Sequence, residues 1–166
     1  MSSKKPWGLT ACLALLSLAL AGMPARAATL RYCAEGSPSG FDPSQTDNGI
    51  DFQATDAIFS NLVERERGAS TLIPGLAESW SVSADGRSYL FKLRRGVHFQ
   101  TTPWFKPSRD FNAEDVLFTF NRMLDPQHPF QRAYPSIAPY MAYMGWDKSV
   151  QKIDSPEPMS VRIQLR

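Results

Sequence analysis

Trp80-Ser81-Val82-Ser83-Ala84-Asp85-Gly86-Arg87-Ser88-Tyr89-Leu90-Phe91-Lys92-Leu93 carries the clearest structural signal in the chain. Trp80 and Val82 alternate with serines, and Tyr89, Phe91 and Leu93 alternate again after Asp85-Gly86. Side chains two apart share one face of a strand, so each run carries a single apolar face. Asp85-Gly86 supplies the positive φ values that a tight turn needs. The stretch predicts an antiparallel hairpin, and Gly96-Val97-His98-Phe99 continues as extended chain.

Outward from it, a second helix is expected from Asn112 to Leu124. Asn112 is its cap, Glu114 and Asp115 occupy the first turn where the helix dipole favours acids, and Val116, Leu117, Phe120, Met123 and Leu124 recur on one face. Asp125-Pro126 ends it. Pro103–Asp110 is expected to be a loop, as is the Pro- and aromatic-rich stretch 126–147. Val150–Ile153 and Met159–Leu165 predict another hairpin around Pro156-Glu157-Pro158. The chain then stops inside the last strand pattern, which is expected to leave an open edge. Upstream, residues 51–65 predict a helix capped by Asp51, with Ala54, Ile58, Phe59, Leu62 and Val63 on its apolar side. Leu72–Ala77 reads as an apolar link turning at Pro74-Gly75, and Thr29–Ala34 as a first strand followed by a polar loop to Gly49. The mixture of helices and strands is an α/β class, a mixed α+β piece.

At 43% apolar and 20% charged residues, the 166-residue chain has the composition of folded material. Lys4, Lys5 and Arg26 fall in residues 1–27, which contain no acid; the remaining chain has 15 basic and 16 acidic residues. That balance argues against a nucleic-acid-binding domain and against a polybasic membrane-surface protein. Residues 1–27 have the order of a secretory signal peptide: Lys4-Lys5, then an apolar run from Leu9 to Ala21, then Ala25-Arg26-Ala27 before Ala28. Cleavage is expected after Ala27, which places the mature chain outside the cytoplasm. Cys12 precedes most of the apolar run and does not fit a lipoprotein box. Its loss with the leader leaves Cys33 alone, either a buried free thiol or half of a disulfide to chain beyond this sequence.

Signals for catalysis are weak. Gly36-Ser37-Pro38-Ser39-Gly40 has proline where a nucleophile elbow needs serine. His98 and His128 stand apart without a second ligand at metal-binding spacing, and Glu114-Asp115 is explained by a helix start. No metal or cofactor site is expected.

Several strings together carry a resemblance. They are Tyr32-Cys33-Ala34-Glu35-Gly36-Ser37-Pro38 with Phe41-Asp42-Pro43, Leu72–Trp80, Ser83–Phe99, Phe105–Arg109 and Asn112–Phe118. In this order they resemble the periplasmic dipeptide- and oligopeptide-binding proteins that serve ABC importers. The resemblance implies a periplasmic-binding-protein type II-like fold, incomplete here, because members are several times longer. It implies residues 28–60 as the start of the first ligand-binding lobe and 61–166 as part of a smaller extra domain. It implies a peptide ligand, an inner-membrane ABC permease partner, a monomeric full-length protein and no enzymatic activity. Asp47, Asn48 and Gly49 match positions lining the pocket floor; a glycine lets backbone approach a ligand, and an acid can face a peptide amine. An ordinary turn before a helix suits the same residues. Dipeptides, longer peptides and haem-like ligands all remain open. Two other readings are a secreted enzyme with its catalytic residues beyond residue 166, and a self-contained interaction domain.

Overall fold

The computed structural model describes Thr29, Arg31, residues 33–134 and residues 139–166. The chain divides into two units, Met1–Cys33 and Ala34–Arg166, and all elements named here belong to the second. The leader, its cleavage site and Cys12 lie outside the described residues. So do Leu30 and Tyr32 of the expected first strand, and Thr29, Arg31, Cys33 and Ala34 are not in a strand. Among the described residues no helix is long and apolar enough to cross a membrane.

The hairpin over 80–93 forms as expected. Strand β3 is Ala77–Val82 and β4 is Ser88–Leu93, paired antiparallel with Trp80 opposite Phe91 and Val82 opposite Tyr89. Positive φ falls on Gly86 at 71°, and not on Asp85. The Asp85 carboxylate instead accepts hydrogen bonds from the Ser83 hydroxyl and the Arg87 N–H, which closes the turn from its side chain. The C-terminal hairpin also forms, from β5 (Val150–Asp154) and β6 (Ser160–Leu165), with Ile153 opposite Ile163 and Asp154 opposite Arg162.

The two hairpins join into one antiparallel sheet of order β3-β4-β6-β5. Tyr89 stands opposite Ile163 and Phe91 opposite Val161, so the apolar alternations of both hairpins fall on one face. The last strand is therefore paired on both sides, and the open edge expected there is filled. The connection between β4 and β5 carries helix α2 (Ala113–Leu124) against that apolar face. Leu93, Phe111, Ala113, Val116 and Val161 form the buried centre, joined by half-buried Leu62, Val97, Phe120 and Ile153. Burying a valine such as Val161, 0% exposed, stabilises by about 1.5–3 kcal/mol.

Helix α2 starts as its sequence indicates. The Asn112 side chain accepts from the Glu114 N–H at 2.8 Å, and the Asp115 carboxylate accepts from the Asn112 N–H at 2.9 Å, a reciprocal capping box. Arg109 forks onto Asp115 at 2.8 and 3.0 Å. Burial pushes the Asp115 carboxyl up, but the Arg109 fork and the Asn112 N–H outweigh it, and its pKa lies below the ordinary value.

Three further expectations are corrected. The helix expected over 51–65 is helix α1, Gly49–Asp56, and it ends before Ile58 and Phe59, which are exposed. Val63–Arg65 is instead strand β1, paired antiparallel with β2 (Leu72–Pro74), the stretch read as a link. Backbone pairing overrides the apolar period because residues 61–64 meet Gly75 at close range. The Leu76 N–H donates to Asn61 O at 2.8 Å, and a Cβ on Gly75 would sit 2.4 Å from that same oxygen. The stretch 126–147, read as irregular, holds two short helices within it, α3 (Pro129–Ala133) and α4 (Pro139–Tyr143), and α5 (Trp146–Ser149) begins at its end. Their few residues are too short to show a helical period. The Phe120 and Trp146 rings stack at 5.4 Å, packing α5 on α2.

Candidate functional site

The segment from Ser39 to Asp51 is built around two carboxylates. Asp51, 1% exposed, is the third residue of α1, not its cap; Asn48 is the cap. Asn48 Oδ1 accepts from the Asp51 N–H at 3.0 Å, and Asn48 Nδ2 donates to Asp51 Oδ2 at 2.8 Å. The Ser39 N–H donates to Asp51 Oδ1 at 2.7 Å, and the Ser39 hydroxyl donates to Oδ2. A buried carboxylate is tolerated when its oxygens are this fully bonded. The Ser39 hydroxyl is the chief reason that the Asp51 carboxyl is held below the usual range, ahead of opposing desolvation.

Asp42 does a similar job at longer range. Its Oδ1 accepts from the Ser44 N–H at 2.9 Å and the Ser44 hydroxyl at 2.7 Å. Arg122 of α2 reaches the same carboxylate with Nη2 at 2.9 Å and Nη1 at 3.3 Å. Burial pushes the Asp42 carboxyl up, but Ser44 and the Arg122 charge outweigh it and its pKa is lowered. Ser44 and Thr46 are buried at 3% and 2% exposure, and Thr46 Oγ1 donates to Pro43 O at 3.3 Å.

Asp47, Asn48 and Gly49, the residues expected to line a ligand pocket, come together at the tip of this segment and all three are exposed. A Cβ on Gly49 would meet nothing within 4 Å among the described residues. Both polar atoms of the Asn48 side chain are engaged by Asp51 at the start of α1. Cys33 is free and exposed among the described residues. His98 lies in an exposed loop with Nδ1 2.6 Å from Asp110, and His128 Nδ1 accepts from the Phe130 N–H at 3.1 Å as the cap of α3. Among the described residues no cluster of three or more His, Cys, Asp or Glu side chains is placed to hold a metal ion. Elsewhere an open apolar cleft of about 410 Å³ runs between α2 and residues 58–62, lined by Phe59, Leu62, Val97, Phe99 and Phe120; Asp47–Gly49 are not part of it.

Sequence reading missed Asp42, Arg122 and the true role of Asp51. The Asn48-Gly49-Ile50-Asp51 spacing repeats the Asn112-Ala113-Glu114-Asp115 spacing of α2, and that capping-box signal was sufficient to place the start of α1. The ion pair between residues 80 apart leaves no local signal.

Residues 71–166 match the bacterial extracellular solute-binding proteins, family 5 Middle. The chain belongs to this family. Family 5 relatives match it over most of its length. It is 51% identical over 154 residues to the di/tripeptide-binding protein 1 of Pseudomonas aeruginosa (strain UCBPP-PA14), covering 91% of this chain and 29% of that protein. It is 40% identical to the heme-binding protein A of Haemophilus influenzae (strain ATCC 51907 / DSM 11121 / KW20 / Rd), covering 82% of this chain and 25% of that protein. The fold superposes on the crystal structure of a dipeptide-binding protein from Pseudoalteromonas sp. SM9913 in complex with Met-Leu, with a TM-score of 0.71 and 36% identity, covering 81% of this chain and 27% of that chain. The mixed fold is thus that of periplasmic peptide-binding proteins, as the resemblance implied. The chain spans less than a third of the length of the curated relatives it matches.

Proposed function

We propose that this chain is the N-terminal part of an extracytoplasmic solute-binding protein that captures dipeptides or other short peptides and delivers them to an inner-membrane ABC permease. The likeness to di/tripeptide-binding protein 1 across 91% of the chain carries the reading. The acid-free leader ending at Ala27 supports export to the periplasm with a mature start at Ala28. In this reading residues 28–60 begin the first ligand-binding lobe, residues 61–166 belong to the smaller extra domain, and the protein acts as a monomer that binds without catalysing. Asp47, Asn48 and Gly49 contribute to the pocket floor, with the Asp47 carboxylate available to a peptide ammonium group.

A Cβ added at Gly49 meets nothing within 4 Å among the described residues, which favours a substitution there as the test. In the full-length gene product, isothermal titration with Met-Leu should give saturable binding. Gly49→Val should weaken that binding while leaving the melting temperature nearly unchanged. Saturable binding of haemin with no response to Met-Leu would replace peptide by a haem-like ligand. No binding of either would end the reading.

A further inference from the structure

The segment that carries Asp47–Gly49 is tied to the rest of the fold by an ion pair from Asp42, and α1 beyond it sets the Phe52 ring edge-on to Tyr140 at 4.9 Å. Asp51, Asn48 and Ser39 hold it together from within, over 12 residues or fewer. Asp42 and Arg122 are 80 residues apart, whereas the other ion pairs among the described residues join residues no more than 12 apart. Both partners are half-buried, with side chains 35% and 21% exposed. The guanidinium lies 5.0 Å over the Phe130 ring, and the backbone that carries it is held by Gln131, whose Nε2 donates to the backbone oxygens of Arg122 and Met123 at 3.0 and 2.9 Å. The buried Arg122 Nε finds no partner among the described residues. A planar fork stacked on a ring fixes direction as well as charge, which a lysine does not reproduce.

The Asp42 carboxylate, in turn, sets the bend of the segment through Ser44, and the buried Ser44 and Thr46 side chains leave the next residues facing outward. We infer that the Asp42–Arg122 pair is a positioning device for ligand binding: it fixes the segment against helix α2 so that Asp47–Gly49 present themselves at one height. The inference rests on the proposed role of Asp47–Gly49 at the pocket floor.

The test is a double-mutant cycle in the full-length gene product, read as the Kd for Met-Leu by titration calorimetry alongside the melting temperature. Asp42→Asn keeps an acceptor for Ser44 and removes the charge facing Arg122; Arg122→Gln removes the fork. Each should weaken binding about tenfold, within the span that packed networks transmit, and the double variant should be no weaker than either single one. Arg122→Lys, which keeps the charge and is the mildest change, should still weaken binding. Asp154→Asn with Arg162→Gln, a second forked pair remote from the segment, should lower the melting temperature and leave Kd unchanged. The inference is overturned if the Asp42 and Arg122 variants bind within twofold of the parent while Gly49→Val binds weakly. It is also overturned if the two effects simply multiply, or if the remote pair shifts Kd as much. If Gly49→Val binds normally, the pocket-floor reading fails and the positioning role falls with it.

Discussion

Asp154 shows what one side chain contributes once register is set. It faces Arg162 across β5 and β6, with Nε at 2.9 Å and Nη2 at 2.7 Å, and Lys152 Nζ lies 2.7 Å away. The Arg162 hydrogen bonds, then that of Lys152, hold its pKa down to about 2, from an ordinary 3.8. A carboxylate depressed in the folded state favours folding above its unfolded pKa and loses that contribution as pH falls through the folded one. The stabilisation by Asp154 should therefore be complete above about pH 4 and fade towards pH 2. Denaturant melts of the parent and Asp154→Asn should differ at pH 5 and converge at pH 2; an equal gap at both would refute the assignment. Alternation of Met159, Val161, Ile163 and Leu165 made the strand legible in sequence. The facing of Asp154 and Arg162 was not legible, because β5 and β6 shift register between Val150 and Lys152, and such a shift leaves no compositional mark.

Helix α2 is the element on which the rest depends. It packs on the sheet through Ala113 and Val116, stacks Phe120 on Trp146 and carries Arg122 to Asp42. Phe120 is only half-buried, so truncating it removes part of a core ring: Phe120→Ala should cost about 2 kcal/mol, below the range for fully buried rings. Asn112→Ala should cost about 1 kcal/mol, since Glu114 N–H loses its acceptor while Asp115 still bonds the backbone. Chemical denaturation of both variants checks the order; equal small losses would make α2 a surface decoration. This helix was readable because 12 residues span more than three turns and its cap is written in four. The expected helix over 51–65 failed for the opposite reason. Eight residues of α1 show little period, and Ile58, Phe59 and Val63 matched an apolar face by spacing although the backbone had already turned away.

At the scale of the whole molecule, Asp47–Gly49 are exposed, and the proposed role at a pocket floor would make them one wall of a pocket that encloses most of its ligand's surface. Residues 28–166 expressed alone should therefore give no saturable heat with Met-Leu, while the exposed rings of Phe59 and Phe99 along the apolar cleft should bind a hydrophobic dye. Saturable micromolar binding by that segment would sink the reading of a shared pocket. The hairpins, the α2 helix with its cap and the family resemblance were all legible along the chain, because each rests on neighbours within a few residues, where period and turn chemistry act. Long-range packing, by contrast, set the merging of the hairpins in the order β3-β4-β6-β5, the pairing of Val63–Arg65 with Leu72–Pro74 and the meeting of Asp42 with Arg122. Those contacts join residues distant along the chain, and their partners are selected by burial of a shared apolar face, which local spacing does not encode.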